Sequence, residues 1–287
     1  MRIAITGSSG FIGTRLAMKV SELGMSVTKI SRSQGVDLNM IDDFKSLEKC
    51  DVIIHLAALN NVSESFGNPS NYLSVNYNLT LNALELARQW SAKFIFVSSY
   101  IYGDPSYLPV DEKHPICPHN PYAESKYLSE ELCRSYYRQF NLNVIILRPV
   151  NVYGPGQPKN LIISEILDKV FSSESVIYLR DDRPRRDYIH VDDVVRCLIA
   201  SIYFKSESFE IFNLGTGHST SIMELVEIIQ RFSHNKFKVV FANEHRRAEV
   251  LETVANNLKI RDKFGISTFI SLEKGICELF LNYKPTY

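Results

Sequence analysis

Tyr122 and Lys126 stand four residues apart, with Ser98 upstream, and Gly7, Gly10 and Gly13 lie near the start of the chain. On a helix the phenol and the amine share one face. A free tyrosine titrates near ~10, too high for a good base at neutrality. A neighbouring ammonium favours the phenolate and lowers that pKa, and a helix N-terminus acts in the same direction. The Ser98 hydroxyl can share the substrate proton and hold the oxygen. The glycines have the spacing of a dinucleotide cradle. Together these residues point to oxidoreduction at a carbon bearing oxygen, with a nicotinamide cofactor exchanging the hydride.

The elements that must position these groups are readable. Residues 2–6 form a buried strand pattern, and 11–23 a helix with Ile12, Leu16, Val20 and Leu23 near one face. Short apolar runs at 26–31, 51–56, 93–98 and 143–148 alternate with helical patterns over 69–89 and 121–140. Asn120-Pro121 supplies an N-cap and a first-turn proline just ahead of Tyr122. Alternating strand and helix predicts βαβ units, a parallel sheet and right-handed crossovers. The fold class expected is α/β: a Rossmann-like doubly wound parallel sheet with a smaller, discontinuous C-terminal α/β substrate lobe. Beyond about residue 155 the pattern predicts helices at 161–171 and 191–204, a strand at 176–180, and a helix opened by the capping box Ser221/Glu224. The expected division is a Rossmann domain at 1–155 with a helix at about 187–208, and a substrate lobe at about 156–186 and 209–287.

Gly7-Ser8-Ser9-Gly10-Phe11-Ile12-Gly13 joins the first strand to the first helix. Gly7 permits the tight turn, Gly10 lets a pyrophosphate reach the backbone, and Gly13 allows close helix–strand packing. Free N–H groups and the dipole of the helix N-terminus favour the anion. A carboxylate at the end of the second strand would bind the adenosine ribose of NAD. Ser31-Arg32-Ser33 stands there instead, where Arg32 can pair with a 2′-phosphate and the two hydroxyls can add hydrogen bonds. This favours NADP over NAD. Asp37-Leu38 is placed to contact the adenine.

The chain has 287 residues, with 32 basic and 32 acidic side chains. That balance gives no net field for nucleic acid or an anionic membrane. The basic cluster Arg183, Arg185 and Arg186 lacks interleaved aromatic platforms for bases. The cysteines at 50, 117, 133, 197 and 277 include no CxxC pair, which predicts reduced thiols and no metal site. No apolar stretch approaches the ~18 residues of a membrane span, and no signal-peptide h-region is present. The expectation is a cytoplasmic protein.

Several motifs in order carry a resemblance: the opening glycines, His55-Leu56-Ala57-Ala58, Val75-Asn76, Phe96 to Gly103, Tyr122 to Lys126, Arg148 to Gly156 and Arg186 to Asp193. The chain resembles the extended short-chain dehydrogenases/reductases, in the nucleotide-sugar epimerase/dehydratase family, over nearly its whole length. The resemblance implies Tyr122 as general base and acid, Lys126 as ribose ligand and phenolate stabiliser, and Ser98 as hydroxyl partner. Ser98 takes that role over Ser99 because it stands five residues before Gly103. It further implies that Ala57, Ala58, Asn76 and Val150 border the dinucleotide, with Leu56 in the same motif. Arg186 and Arg246 resemble clamps on a nucleotide diphosphate, a task suited to planar guanidinium. Asn151, Asn160 and Leu161 match positions near the same group, and Glu249 a nucleotide-ribose ligand. Arg247 and Ala248 depart from the family, which carries Pro and Gly there. His190 matches a residue that organises structure. The 69–89 and 121–140 helices resemble the two that form a four-helix homodimer interface.

Dehydratases of this family place an Asp-Glu pair directly after the active-site hydroxyl residue. Ser99 and Tyr100 occupy those places, which argues against 4,6-dehydration, and Tyr100 in place of Glu argues against decarboxylation. Two reactions on a nucleotide-diphosphate sugar remain: 4-epimerisation through transient oxidation at C4, and NADPH-dependent reduction of a 4-keto sugar. The motif set favours the epimerase. Ser31-Arg32-Ser33 and the modest length favour the reductase. A non-catalytic cofactor sensor would be expected to lose Tyr122 or Lys126, and both are present.

Overall fold

The computed structural model of the protein describes residues 1–38, 47–205, 209–234 and 236–282. The first half is a run of strands and helices: β1 (Arg2–Thr6), α1 (Phe11–Glu22), β2 (Ser26–Ile30), β3 (Val52–His55), α2 (Val62–Gly67), α3 (Pro69–Trp90), β4 (Lys93–Val97), α4 (Pro121–Phe140) and β5 (Val144–Pro149). The second half is less regular: β6 (Asn151–Tyr153), α5 (Ile162–Phe171), β7 (Val176–Leu179), β8 (Arg185–His190), α6 (Val191–Tyr203), β9 (Phe209–Leu214), β10 (Ser219–Ser221), α7 (Ile222–Phe232), β11 (Lys238–Phe241), β12 (Glu252–Thr253), α8 (Leu258–Phe264) and α9 (Leu272–Asn282).

Six strands form one parallel sheet in the order β2-β1-β3-β4-β5-β9. Period-two alternation loads both faces. Ile3, Ile5, Ile54, Ile95 and Ile145 pack with Leu16 and Val20 of α1 and with Val194 and Leu198 of α6. Ala4, Ile53, Phe94, Phe96 and Ile146 face the other way, onto Ala83, Leu84 and Ala87 of α3 and Cys133 of α4. Strands buried on both faces explain why these runs are continuously apolar. The connection from β1 goes to β2 on one side and the chain returns to β3 on the other. This switch point opens a crevice at the carboxyl ends of the strands.

A third core belongs to the lobe, where Ile163, Ile166 and Leu167 of α5 meet Leu225, Val226 and Ile229 of α7 and Ile276 of α9. The capping box predicted for α7 is formed, with Glu224 N–H donating to Ser221 Oγ and Ser221 N–H to the Glu224 carboxylate.

The expected division requires correction. β9 pairs with β5 over six residues, from Val144↔Phe209 to Pro149↔Leu214, so 209–214 is the sixth strand of the main sheet and not lobe. Ile260 of α8 and Ile266 also lie in the core under that sheet. The segment expected as one helix over 187–208 begins instead as β8, which pairs with β6, β10 and β12 in a small sheet. Its last residues, 206–208, lie outside the described residues.

Candidate active site

The turn after β1 is shaped by contacts only glycine tolerates. Gly7 has φ +65°, and a Cβ on it would lie 2.8 Å from Ala57 N. A Cβ on Gly13 would lie 2.2 Å from Gly7 O, so α1 could not start so close to β1. Thr6 joins the two walls: its hydroxyl accepts from the Leu56 and Ala57 amides, both at 3.1 Å. The cradle thus fits a pyrophosphate at the α1 N-terminus, and the buried Ser8 Oγ has no hydrogen-bond partner among the described residues.

Ser31, Arg32 and Ser33 follow β2 directly. The two serine hydroxyls lie 3.0 Å apart, and Arg32 opens a short 3-10 turn closed by Gly35 in the left-handed region. No carboxylate stands at the end of β2. Asp37 and Leu38 line the same cleft, with Leu56, Ala57, Ala58 and Val150. Asn76 requires correction. It is buried behind the wall: its amide donates to Leu59 O at 3.0 Å and Ser125 Oγ at 2.8 Å, and its oxygen accepts from Leu59 N at 2.7 Å. It shapes the turn after β3 and does not line the cleft.

α4 carries the proton-transfer pair. Asn120 caps it by accepting from the Ala123 amide at 2.8 Å. Tyr122 and Lys126 both line the cleft. The Lys126 ammonium lies 4.3 Å from the centroid of the Phe96 ring. Burial pulls its pKa down to about 8. The expected lowering of the Tyr122 pKa is overturned here. Burial pushes the phenol up, Ser99 opposes that by hydrogen bonding, and the nearby Tyr72 adds to the rise. The physical reason is that burial of the phenol outweighs the other influences on it. Ser98 and Ser99 both line the cleft, and Ser99 is the serine that draws the Tyr122 pKa down against the effect of burial. The buried Ser98 Oγ has no hydrogen-bond partner among the described residues. His55, at the end of β3, is held neutral with a pKa of about 3 by burial and bonds the Thr6 hydroxyl at 2.7 Å.

Across the cleft, Asn151, Asn160, Leu161, Arg186, Arg246 and Glu249 come together although they span nearly one hundred residues of sequence. Arg186 donates to Glu249, which lies 3.9 Å from Arg246. The neighbouring Asp187 is wholly buried and accepts from Thr216, Gly217 and Ala255 amides, which fixes β8 against the loops that carry these groups. Ala248 has φ +53°, the conformation glycine adopts freely and alanine at a cost of about 1–2 kcal/mol. The whole cleft holds about 1000 Å³. Sequence reasoning missed Asn60, Arg180, Phe66 and Arg247, which also line this cleft or its side chamber. Arg180 directly follows β7, a strand-end signal that was available; Phe66 gave none.

A family model described as NAD dependent epimerase/dehydratase matches residues 3–215. The chain belongs to the NAD-dependent epimerase/dehydratase family. As a member it is an NAD(P)-dependent enzyme of the extended short-chain dehydrogenase/reductase type. It is 33% identical to a putative UDP-glucose 4-epimerase of Methanocaldococcus jannaschii, covering 96% of this chain and 95% of that one. It is 27% identical to a GDP-6-deoxy-D-mannose reductase of Pseudomonas aeruginosa, covering 99% and 97%. The crystal structure of a Thermotoga maritima UDP-glucose 4-epimerase with UDP-glucose superposes with a TM-score of 0.90 at 27% identity, covering 98% of each chain.

Proposed function

We propose that this epimerase/dehydratase family member is a nucleoside-diphosphate-sugar 4-epimerase that uses NADP. One observation carries the reading: a single cleft joins the glycine cradle, the Ser98/Tyr122/Lys126 group and the Arg186/Arg246 pair, in that order of ligand needs.

Gly7, Gly10 and Gly13 hold the dinucleotide pyrophosphate, with Phe11 and Ile12 in the same turn. Lys126 holds the nicotinamide ribose. Arg32, flanked by Ser31 and Ser33, pairs with a 2′-phosphate, and the absence of a carboxylate at the end of β2 supports NADP. Arg186 and Arg246 clamp the substrate diphosphate, Glu249 takes a ribose hydroxyl, and Asn151, Asn160 and Leu161 border the same group. When bound, the nicotinamide accepts hydride from sugar C4 and later returns it.

Tyr122 removes the proton from the C4 hydroxyl as that hydride leaves, so the C4–O bond becomes a carbonyl. The unpartnered Ser98 hydroxyl donates to that oxygen. Turning the ketose within the chamber presents its other face, and Tyr122 gives the proton back as the hydride returns. No net reductant is consumed. Ser99 and Tyr100 supply neither the acid nor the base for water elimination, which supports epimerisation over dehydration.

A reductase is the second reading. It is favoured by Ser31-Arg32-Ser33 and by similarity to the reductase above. The deciding experiment follows C4 configuration by NMR on nucleotide sugars with no added reductant. Inversion catalysed by the wild type and lost in Tyr122→Phe supports the epimerase. Stoichiometric NADPH consumption by a 4-keto sugar, with no inversion, replaces it with the reductase.

A homodimer through α3 and α4 completes the proposal. These helices pack together and leave Tyr77 and Leu128 exposed on their outer sides. Light scattering that finds only monomer removes it.

A further inference from the structure

A side chamber of about 440 Å³ opens off the main cleft beside Ser99, Tyr100 and Tyr122. That is ample for one hexose unit and too small for a nucleotide as well. Arg180, Arg186, Arg246 and Glu249 line both spaces. Arg247 and Phe66 line the chamber alone. The Arg247 guanidinium lies 5.3 Å from the centroid of the Phe66 ring, which holds its plane at the chamber wall.

Charge decides what the chamber suits. Among the described residues its walls carry four guanidinium groups against the one carboxylate of Glu249. A neutral hexose would bring no anion to that positively charged wall. Arg186 is already matched by Glu249, and Arg246 is within reach of the same carboxylate. The Asp181 carboxylate at the mouth of the main cleft is matched by Arg183. Arg247 has no carboxylate partner among the described residues. A planar guanidinium on the chamber wall suits a carboxylate.

Building on the epimerase reading, we propose that Arg247, braced by Phe66, recognises a carboxylate on the sugar, and that the preferred substrate class is nucleoside-diphosphate hexuronic acids. A carboxylate on the sugar would bring a negative charge against the guanidinium-rich wall of the chamber.

The test measures dissociation constants of UDP-glucuronate and UDP-glucose, which differ only at C6, on the cofactor-loaded enzyme. A charge-assisted contact predicts that the wild type binds the uronate about 10- to 100-fold more tightly. In Arg247→Leu that ratio collapses to within about threefold, and Arg247→Lys keeps part of it. A wild-type ratio near one, or a ratio unchanged in Arg247→Leu, overturns the proposal; the second outcome places Arg247 on the diphosphate or in solvent. C4 inversion measured on the same preparations tests the epimerase reading separately. A collapsing ratio without any inversion leaves the recognition standing and removes the epimerase, and inversion with a ratio near one does the reverse.

Discussion

The ammonium of Lys126 lies 4.3 Å from the centre of the Phe96 ring, one turn along α4 from Tyr122 and buried to 3% exposure. A lysine this deep is a cost to the fold that its role in the cleft explains. In the unfolded chain it titrates near ~10.4. In the folded protein burial brings it to about 8.

The sign of the pH dependence follows from those two values. Between about pH 8 and 10.4 the unfolded chain holds the proton and the folded chain does not, so stability rises with pH across that window. Below pH 8 the buried charge costs its full amount, up to roughly 3 kcal/mol. Lys126→Met is therefore expected to raise the urea midpoint at pH 7 while abolishing efficient turnover. The gain should shrink toward pH 10. A midpoint difference that is flat with pH would contradict the burial argument.

Ser98 and Ser99 have separable roles. Ser98 Oγ is buried and without a partner among the described residues, ready for a substrate oxygen, whereas Ser99 opposes the burial-driven rise of the Tyr122 pKa. Ser98→Ala should reduce kcat by about 10²- to 10³-fold with little change in the pH profile. Ser99→Ala should cost less at its optimum but move the ascending limb to higher pH, because the phenol, which must ionise to act as base, then does so at higher pH. Full pH–rate profiles of both variants check this; an unshifted limb in Ser99→Ala argues against the pairing.

Cofactor choice rests on the tip of β2. Arg32 is exposed there beside the Ser31/Ser33 hydroxyl pair. Arg32→Ala should weaken NADP by about 10- to 100-fold and leave NAD within about threefold. Titrating both dinucleotides against the variant settles it. Equal loss of both would show that Arg32 holds no 2′-phosphate.

The sheet was legible because burial on both faces writes unbroken apolar runs such as Ile53-Ile54 and Phe94-Ile95-Phe96, and because the glycines mark the first turn. β9 was not, since Phe209–Leu214 follows a helix in the less regular half and only its pairing with β5 assigns it to the main sheet. Among site residues, Gly7, Tyr122 and Lys126 were readable from local spacing. Asn76 was misplaced because family motifs mark a residue without saying which side of the wall it faces. The state of Lys126 was not legible either, since desolvation depends on packing against Phe96, thirty residues away.

Arg148 and Glu130 supply the last prediction. Arg148 of β5 pairs side-on with Glu130 of α4 at 2.9 and 2.6 Å, and both are at most 2% exposed. A third guanidinium N–H goes to the Tyr102 hydroxyl at 2.7 Å, which donates to Asn213 of β9 at 2.6 Å. Glu130 is four residues beyond Lys126, so this network fixes the register of α4, and with it Tyr122, against the sheet. Removing one charge leaves the other buried and uncompensated, at a cost of about 3–5 kcal/mol. Glu130→Leu and Arg148→Met should each lose about that much in chemical denaturation. The double variant should recover much of it, because the desolvation cost of both charges disappears. Additive losses would mean the pair does not act as one unit, and a double variant with recovered stability but low kcat would separate its role in placing Tyr122 from its role in holding the fold.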